Sequence, residues 1–441
     1  MGHRSGRGVR VFLGPQEISG LYKNLEAGMV ANGVAARLIQ THPHPFDYGQ
    51  RRQNPWPARW ASAAVLRHRK SAGAARVLWA VAYAASSVLL LIWCLPRFDA
   101  FLFGWGISIL PGNLDIPVLR LFRKRVVVVL GHGSEARPPY MATPADDVTF
   151  PLSREAIDEL AARTARVAAK VRRLERWASA TIGMRMTAQF FTRPFIEFYG
   201  MGVATAVDNA ATTDDAATTD DAAATDDAAA TDVDRIVVLH APSNEKVKGT
   251  AIIRRIMREI VAENPGVEFR ELTGALHEEV LAALADCTFL VDQMWSDIPL
   301  ATVGAEAAAN GKATVIGGYG WDIWREAVDE GDLPPALLAD PDSMKEAILA
   351  AVADPGRMVA LGEEARAFVR SRWSAEVVAA NYLAVLTNDF PENWIVRPED
   401  VRYAWGTGVP REQVSAMVAG LIAHHGEASL EWRNGVREYA D

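Results

Sequence analysis

Cysteine is almost missing. Cys94 and Cys287 are the only two in 441 residues, and both stand in apolar surroundings. That excludes a disulfide framework and a cysteine metal site, and it fits a reducing compartment. No apolar signal core precedes the first strand-like run in MGHRSGRGVRVFLGP. The glycine-containing turn after that run lacks GxGxxG spacing, so a dinucleotide fingerprint is not supported. No cluster of His, Asp and Glu has metal-ligand character, so neither a metal nor a separate cofactor is expected. Positive charge is not in excess either: a formal net charge of −8 and a pI near 5.7 argue against a general nucleic-acid binder.

The length allows two or three domains, each with a core of its own. Val9 to Leu13 reads as a first strand and Gly14 to Gly20 as the loop after it. Leu21, Leu25, Met29 and Val30 then recur at helical spacing before Gly33, and Val34 to Gln40 starts a second strand. This is one βαβ unit, the opening of a doubly wound sheet. The turn faces a crevice in such folds, which makes Ser19 and Gly20 candidate acceptor contacts. From Val77 to Leu95 no residue is charged, a run long enough to span a membrane. A buried Rossmann helix is the expectation, with a helix dipping into one leaflet and a true span as alternatives; a span would part strands that have to share one sheet. Arg67, His68, Arg69, Lys70 and Arg76 just before it suit an anionic lipid surface.

Phe98 to Phe103 and Arg125 to Leu130 read as further strands, with a short helix inside Leu110 to Lys124. After the second comes GHGSEARPP, Gly131 to Pro139, where His132 and Arg137 could meet an acceptor hydroxyl or a phosphate. The alternative is a loop held by its own Ser134 and Glu135 bonds. Ser153 to Trp177 reads as a basic, alanine-rich helix capped by Ser153. Between Ala204 and Asp234 the composition changes abruptly: DDAATT and two copies of DDAAAT hold no Lys, Arg, aromatic or large aliphatic residue. Such a tract buries too little apolar surface to offset its ordering entropy, so it reads as a disordered acidic linker marking a domain boundary. The expected divisions are residues 1–203, the linker 204–234, a second α/β domain 235–386, and a tail 387–441 of unknown role, whose Arg411 to His424 reads as a docking helix.

The second domain opens on RIVVLHAPSNEKVKGT, Arg235 to Thr250. An apolar β-branched run passes into a polar loop and then into a helix-period stretch, Ala251 to Asn264. A loop at the carboxyl end of a parallel strand, followed by a helix N-terminus, offers backbone N–H groups and a positive dipole end to a phosphate. Lys248 adds a mobile cation, and Gly249 permits close backbone approach. Val267 to Leu272, Cys287 to Val291 and Ala313 to Ile316 read as the next strands, with helices at Glu278 to Leu284 and Leu300 to Asn310 between them. Three more helices follow, at Met344 to Val352, Met358 to Arg370 and Ala375 to Leu386.

HAPSNEKVKGT resembles the loop that opens the donor-binding domain of retaining glycosyltransferases of the GT-B fold, family 4 type, where a loop ending in Lys-Gly holds a nucleotide-sugar diphosphate. GHGSEARPP is similar to that family's Gly-Ser-acid-x-Arg string, with Glu135 where aspartate is common. Ala178 to Gly183 and TAQFFTRPF, Thr187 to Phe195, resemble the last strand and exit path of its first domain. Leu300 to Lys312 resembles its Glu-Ala-x-Ala-x-Gly-Lys segment.

The resemblance implies two Rossmann-like α/β domains facing across a cleft, with a last helix that crosses back to the first domain. It implies a hexosyltransferase-type enzyme that moves a sugar from a nucleotide-sugar donor to a hydroxyl acceptor, whether glycan, lipid-linked or small molecule, with retention. Donor contacts would be Ser243, Asn244, Lys248, Gly249, Thr250, Thr273, Gly274 and Glu306, the last on the ribose. Glu135, Arg137, Gln293 and Asp297 would line the acceptor side or cleft, and Lys248 and His132 would be catalytic. The setting would be cytoplasmic, with the inner face of a membrane as a candidate location. The chain departs from the family at two points. Eight positions before Glu306, where a partner glutamate is usual, stands Ile298, with Asp297 one residue out of register. Five positions before Lys248, where arginine is common, stands Ser243, leaving Arg254 and Arg325 as cations that could compensate. Two rivals follow: a catalytically weak relative that binds a nucleotide sugar or a partner, and a non-hydrolysing sugar-nucleotide epimerase.

Overall fold

The computed structural model describes residues 8–17, 20–42, 54–131, 133–143, 150–200, 202 and 235–432. The acidic tract, Ser19 and His132 fall outside these residues. Two compact units emerge: residues 1–202 with 375–404 and 412–441, and residues 203–374 with 405–411.

The first unit is built on strands β1 (Arg10–Gly14), β2 (Ala35–Leu38), β3 (Ala100–Phe103), β4 (Arg125–Val129), β5 (Ala180–Ile182) and β6 (Phe195–Ile196). The second holds β7 (Ile236–His240), β8 (Val267–Glu271), β9 (Phe289–Val291), β10 (Ala313–Gly317) and β11 (Leu337–Ala339), all parallel in the order β11-β10-β9-β7-β8. A last strand, β12 (Ile395–Val396), returns antiparallel to β6 and completes the first sheet as β12-β6-β5-β4-β3-β1-β2. The other pairings in that sheet are parallel. Each sheet winds outward both ways from its first strand, the doubly wound Rossmann-like arrangement expected of an α/β chain.

Continuous apolar runs form the central strands because both faces are covered. Phe12, Phe101 and Phe103 are buried across β1 and β3 and meet ring to ring, with Phe98 against Phe12 and Phe101. In the second unit, helix Thr250–Glu263 buries Ile253, Ile256, Met257 and Ile260, the i, i+3, i+4, i+7 stripe of a core-facing helix. Ser153 caps helix Arg154–Trp177, its hydroxyl accepting from the Ala156 N–H at 3.2 Å.

Two C-terminal segments pack on the first unit, and one helix departs from the reading of the sequence. Helix Ala375–Thr387, numbered there with the second domain but implied by the resemblance to cross back, lies in the first unit: it packs on helix Leu21–Ala31, and Arg125 donates to the Val385 carbonyl at 3.0 Å. The tail apart from residues 405–411 joins the first unit as well, with Tyr140 donating to the Leu430 carbonyl at 3.0 Å and Arg172 paired with Glu431. Helix Gly73–Cys94 is not a buried core helix. It buries only Ser86, Ser87, Leu90, Leu91 and Cys94, and it forms a hairpin with helix Trp56–Lys70, which the sequence reading passed over.

Gly28 sets the spacing of the helix pair. A Cβ there would lie 2.0 Å from the Ala375 carbonyl oxygen and 2.9 Å from the Ala379 Cβ. On an open helix surface Gly→Ala stabilises by about 1 kcal/mol. Gly28→Ala is expected to reverse that sign and destabilise the first unit by about 1–3 kcal/mol, read as a lowered urea midpoint. A raised midpoint would show that the helices are not in contact there.

Candidate functional site

In the second sheet β7 is flanked by β8 on one side and β9 on the other. The loops leaving β7 and β9 therefore diverge at their carboxyl ends, which opens the crevice where doubly wound sheets hold ligands. Two side chains close its floor. His240, the last residue of β7, is fully buried. Its Nδ1 lies 2.8 Å from the Val291 carbonyl and its Nε2 2.8 Å from the Thr250 hydroxyl. A carbonyl only accepts, so Nδ1 carries the proton and Thr250 donates to Nε2. Burial lowers the His240 pKa, in keeping with a neutral ring.

The second closure is an ion pair. Asn244 caps the short helix Glu245–Lys248, accepting from the Val247 N–H at 3.1 Å, and the helix ends at Gly249 in the left-handed region, φ 72°. The turn sends Lys248 inward, where its Nζ donates to Asp292 Oδ1 at 2.6 Å; the lysine is 8% exposed and the aspartate 2%. The loop after β9 is fastened on both sides. The Met294 N–H donates to the Lys248 carbonyl at 3.0 Å, and the Gly317 N–H donates to the Gln293 carbonyl at 2.8 Å. Asp292 Oδ2 is buried without a hydrogen-bond partner among the described residues. Such an atom costs about 1–3 kcal/mol, and structures keep few of them without a functional reason.

Among the expected donor residues, Lys248 is thus neither a mobile cation nor a solvated loop residue. Gly249 faces protein: a Cβ there would lie 2.6 Å from Met294 Cγ. Thr250 turns its hydroxyl inward to His240, so only its backbone faces the loop side. Ser243 and Asn244 are exposed nearby. Thr273 is exposed at the end of β8 and donates to Glu271 at 3.3 Å, beside an exposed Gly274. Glu306 is half-buried, 2.8 Å from His277 Nε2. Gln293 is buried on the Ser296 hydroxyl at 2.6 Å. Asp297 is buried too, and its carbonyl accepts from the Trp324 indole at 2.7 Å. Of the two cations that could compensate for Ser243, Arg254 is paired with Glu271 and Glu245, and Arg325 with Asp322.

In the first unit, Glu17 accepts from the Tyr22 and Lys23 N–H groups at 2.9 and 3.0 Å, so its carboxylate occupies the helix N-terminus that follows Gly20. Glu135 is buried and accepts from the Gly131 N–H at 2.9 Å, which fits the self-held loop; Arg137 is buried beside it in sequence. Burial lowers the Lys170 pKa, and Glu135 opposes that shift.

Reasoning from sequence placed the strand end Asp292-Gln293 at the cleft but did not pair Asp292 with Lys248, and it gave His240 no role. The available signal was positional: each polar side chain ends an apolar strand, one on each side of the switch point.

No family model matches this chain, and no curated protein matches it. Among solved structures it is similar to HepE of Anabaena in complex with UDP and glucose, at 11% identity and a TM-score of 0.46, covering 86% of this chain and 100% of that one. It is also similar to sucrose-phosphate synthase of Thermosynechococcus elongatus, at 13% and 0.41, covering 87% and 99%. A third is the glycosyltransferase SnogD of Streptomyces nogalater, at 11% and 0.38, covering 86% and 100%. Likeness at this level assigns no role to any residue.

Two outcomes follow from the buried pair and the buried histidine. Asp292→Ala strands a buried ammonium and is expected to cost about 3–5 kcal/mol, with Asp292→Asn milder, both measured by urea unfolding. His240 has a folded pKa below its ordinary 6.5, so below about that pH the unfolded chain takes up a proton that the fold refuses. Stability is expected to fall as pH drops through that window, down to the lowered folded pKa. His240→Gln should flatten the fall between about pH 8 and about pH 5.5; an unchanged slope would remove His240 as its source.

Proposed function

We propose that the chain is a glycosyltransferase that takes a sugar from a nucleoside-diphosphate sugar and passes it to a hydroxyl acceptor. The observation that carries this reading is the position of Lys248, buried at the switch point of a parallel sheet on a loop ending Lys-Gly-Thr at a helix N-terminus. An ammonium has three N–H donors, and Asp292 takes one of them. The others serve phosphate oxygens. The leaving diphosphate gains negative charge as the glycosidic bond breaks, and Lys248 with backbone N–H groups stabilises it most at that moment. Glu306, with one oxygen on His277, offers the other to a ribose hydroxyl. Hexosyl specificity and retention rest on the resemblance of the loop strings alone.

One observation favours a second reading, a relative that binds nucleotide sugar without turning it over. Ile298 stands where the family has a glutamate, and Lys248 already has a counter-ion.

Calorimetric titration with UDP, GDP, ADP and their sugar conjugates separates binding from no binding. Lys248→Gln removes the charge and retains a polar N–H donor on a slightly shorter side chain. It is expected to weaken the preferred nucleotide about tenfold to a hundredfold, equivalent to roughly 1.5–3 kcal/mol. Transfer from that donor, followed by product analysis, then distinguishes an enzyme from a binder, and an epimerised donor from a transferred sugar. If Lys248→Gln binds and transfers like the parent, the proposed role of Lys248 is wrong.

A further inference from the structure

We propose that the helical hairpin Trp56–Cys94 docks on the surface of an anionic phospholipid bilayer, with helix Gly73–Cys94 lying in the plane of one leaflet. This proposal is independent of the donor reading, because every group it uses belongs to the first unit.

The first observation is what the longest apolar helix leaves uncovered. Val77, Leu78, Val81, Val88, Leu89 and Ile92 are all exposed, Val77 to 64%. At about 100° per residue these six fall within a stripe roughly 120° wide. The stripe runs about 22 Å along the helix. The opposite face, with Leu90, Leu91 and Cys94, is buried in the fold. Trp56 and Trp60, one turn apart on the partner helix, are exposed as well and pack edge to face at 4.9 Å. A continuous apolar face of this length on a folded unit marks an interaction surface.

The second observation is charge. Between Asn54 and Phe98 the chain carries Arg59, Arg67, Arg69, Lys70, Arg76 and Arg97 and not one Asp or Glu, in a protein of net charge −8. Four of them cluster where the two helices turn, with Arg67 stacked over Trp79 at 4.6 Å and His68 Nδ1 3.0 Å from the Arg76 carbonyl. A basic cluster at one end of an exposed apolar stripe complements lipid phosphates above acyl chains. A second copy packed in parallel on the same face would oppose like charges.

Topology decides between lying and spanning. The hairpin connects β2 to β3, and both strands pair with β1 in one sheet. A span by this helix alone would part those strands, and its partner, 15 residues long with Arg59, Arg67, Arg69 and Lys70, is too short and too charged to return across, so the helix presents one face only.

The test is flotation of the full chain with vesicles of phosphatidylcholine alone and of phosphatidylcholine mixed with phosphatidylglycerol. The expected result is flotation with the mixed vesicles and little with the neutral ones. Arg67→Gln, Lys70→Gln and Arg76→Gln together should lower partitioning about a hundredfold, since each charge is worth about a factor of five. Val81→Asp with Ile92→Asp should lower it about tenfold or more. All five positions are exposed, so an unchanged circular dichroism melt confirms that each variant is folded. Three results would overturn the proposal: no flotation with either vesicle, flotation indifferent to the Val81 and Ile92 substitutions, or a dimer in solution that Val81→Asp splits.

Discussion

The buried pair of Lys248 and Asp292 is the constraint around which the second unit is arranged. Taking two charges out of water costs several kcal/mol per ion before their attraction is counted, so the pair persists only where its geometry is held from all sides. Here the holding is visible. Gly249 brings the chain against Met294, the Met294 N–H returns to the Lys248 carbonyl, and Gly317 fastens Gln293 from the next strand. His240 ties the ends of β7 and β9 together beneath them. The sheet supplies the opening, and these bonds decide what points into it.

Much of this could be read before any coordinates. The apolar β-branched runs at Val126–Val129 and Ile236–Leu239 announce buried parallel strands, and the helices between them follow the 3.6-residue period. What could not be read was which polar side chains meet. Lys248 and Asp292 are far apart in sequence, and nothing local to either favours the other. Their contact follows from strand order, which places β9 beside β7 although β8 comes between them in the chain. The same holds for Thr250: in the string it looks like a phosphate contact, and only the position of His240 turns its hydroxyl inward.

Helix Gly73–Cys94 shows the opposite limit. Its composition satisfies a core helix, an interfacial helix and a span alike, because hydrophobicity measures what a segment tolerates and not what surrounds it. Burial depends on whether the rest of the unit has surface to lay over it. Its main packing partner is helix Trp56–Lys70, and burial is confined to Ser86, Ser87, Leu90, Leu91 and Cys94 in its second half. The exposed remainder is a property of the assembled unit.

The two units also treat the same topological position differently. In each, the first strand runs into a loop and then into a helix whose leading N–H groups attract an anion. In the first unit Glu17 has taken that place, bonding the N–H groups of Tyr22 and Lys23 with both carboxylate oxygens. A phosphate would have to displace a covalently tethered carboxylate from a buried site. In the second unit the equivalent helix starts after Gly249, which has no side chain to offer, and the cation Lys248 stands beside it. The anion-attracting N-terminus is therefore filled internally in the first unit, whereas in the second no side chain caps helix Thr250–Glu263.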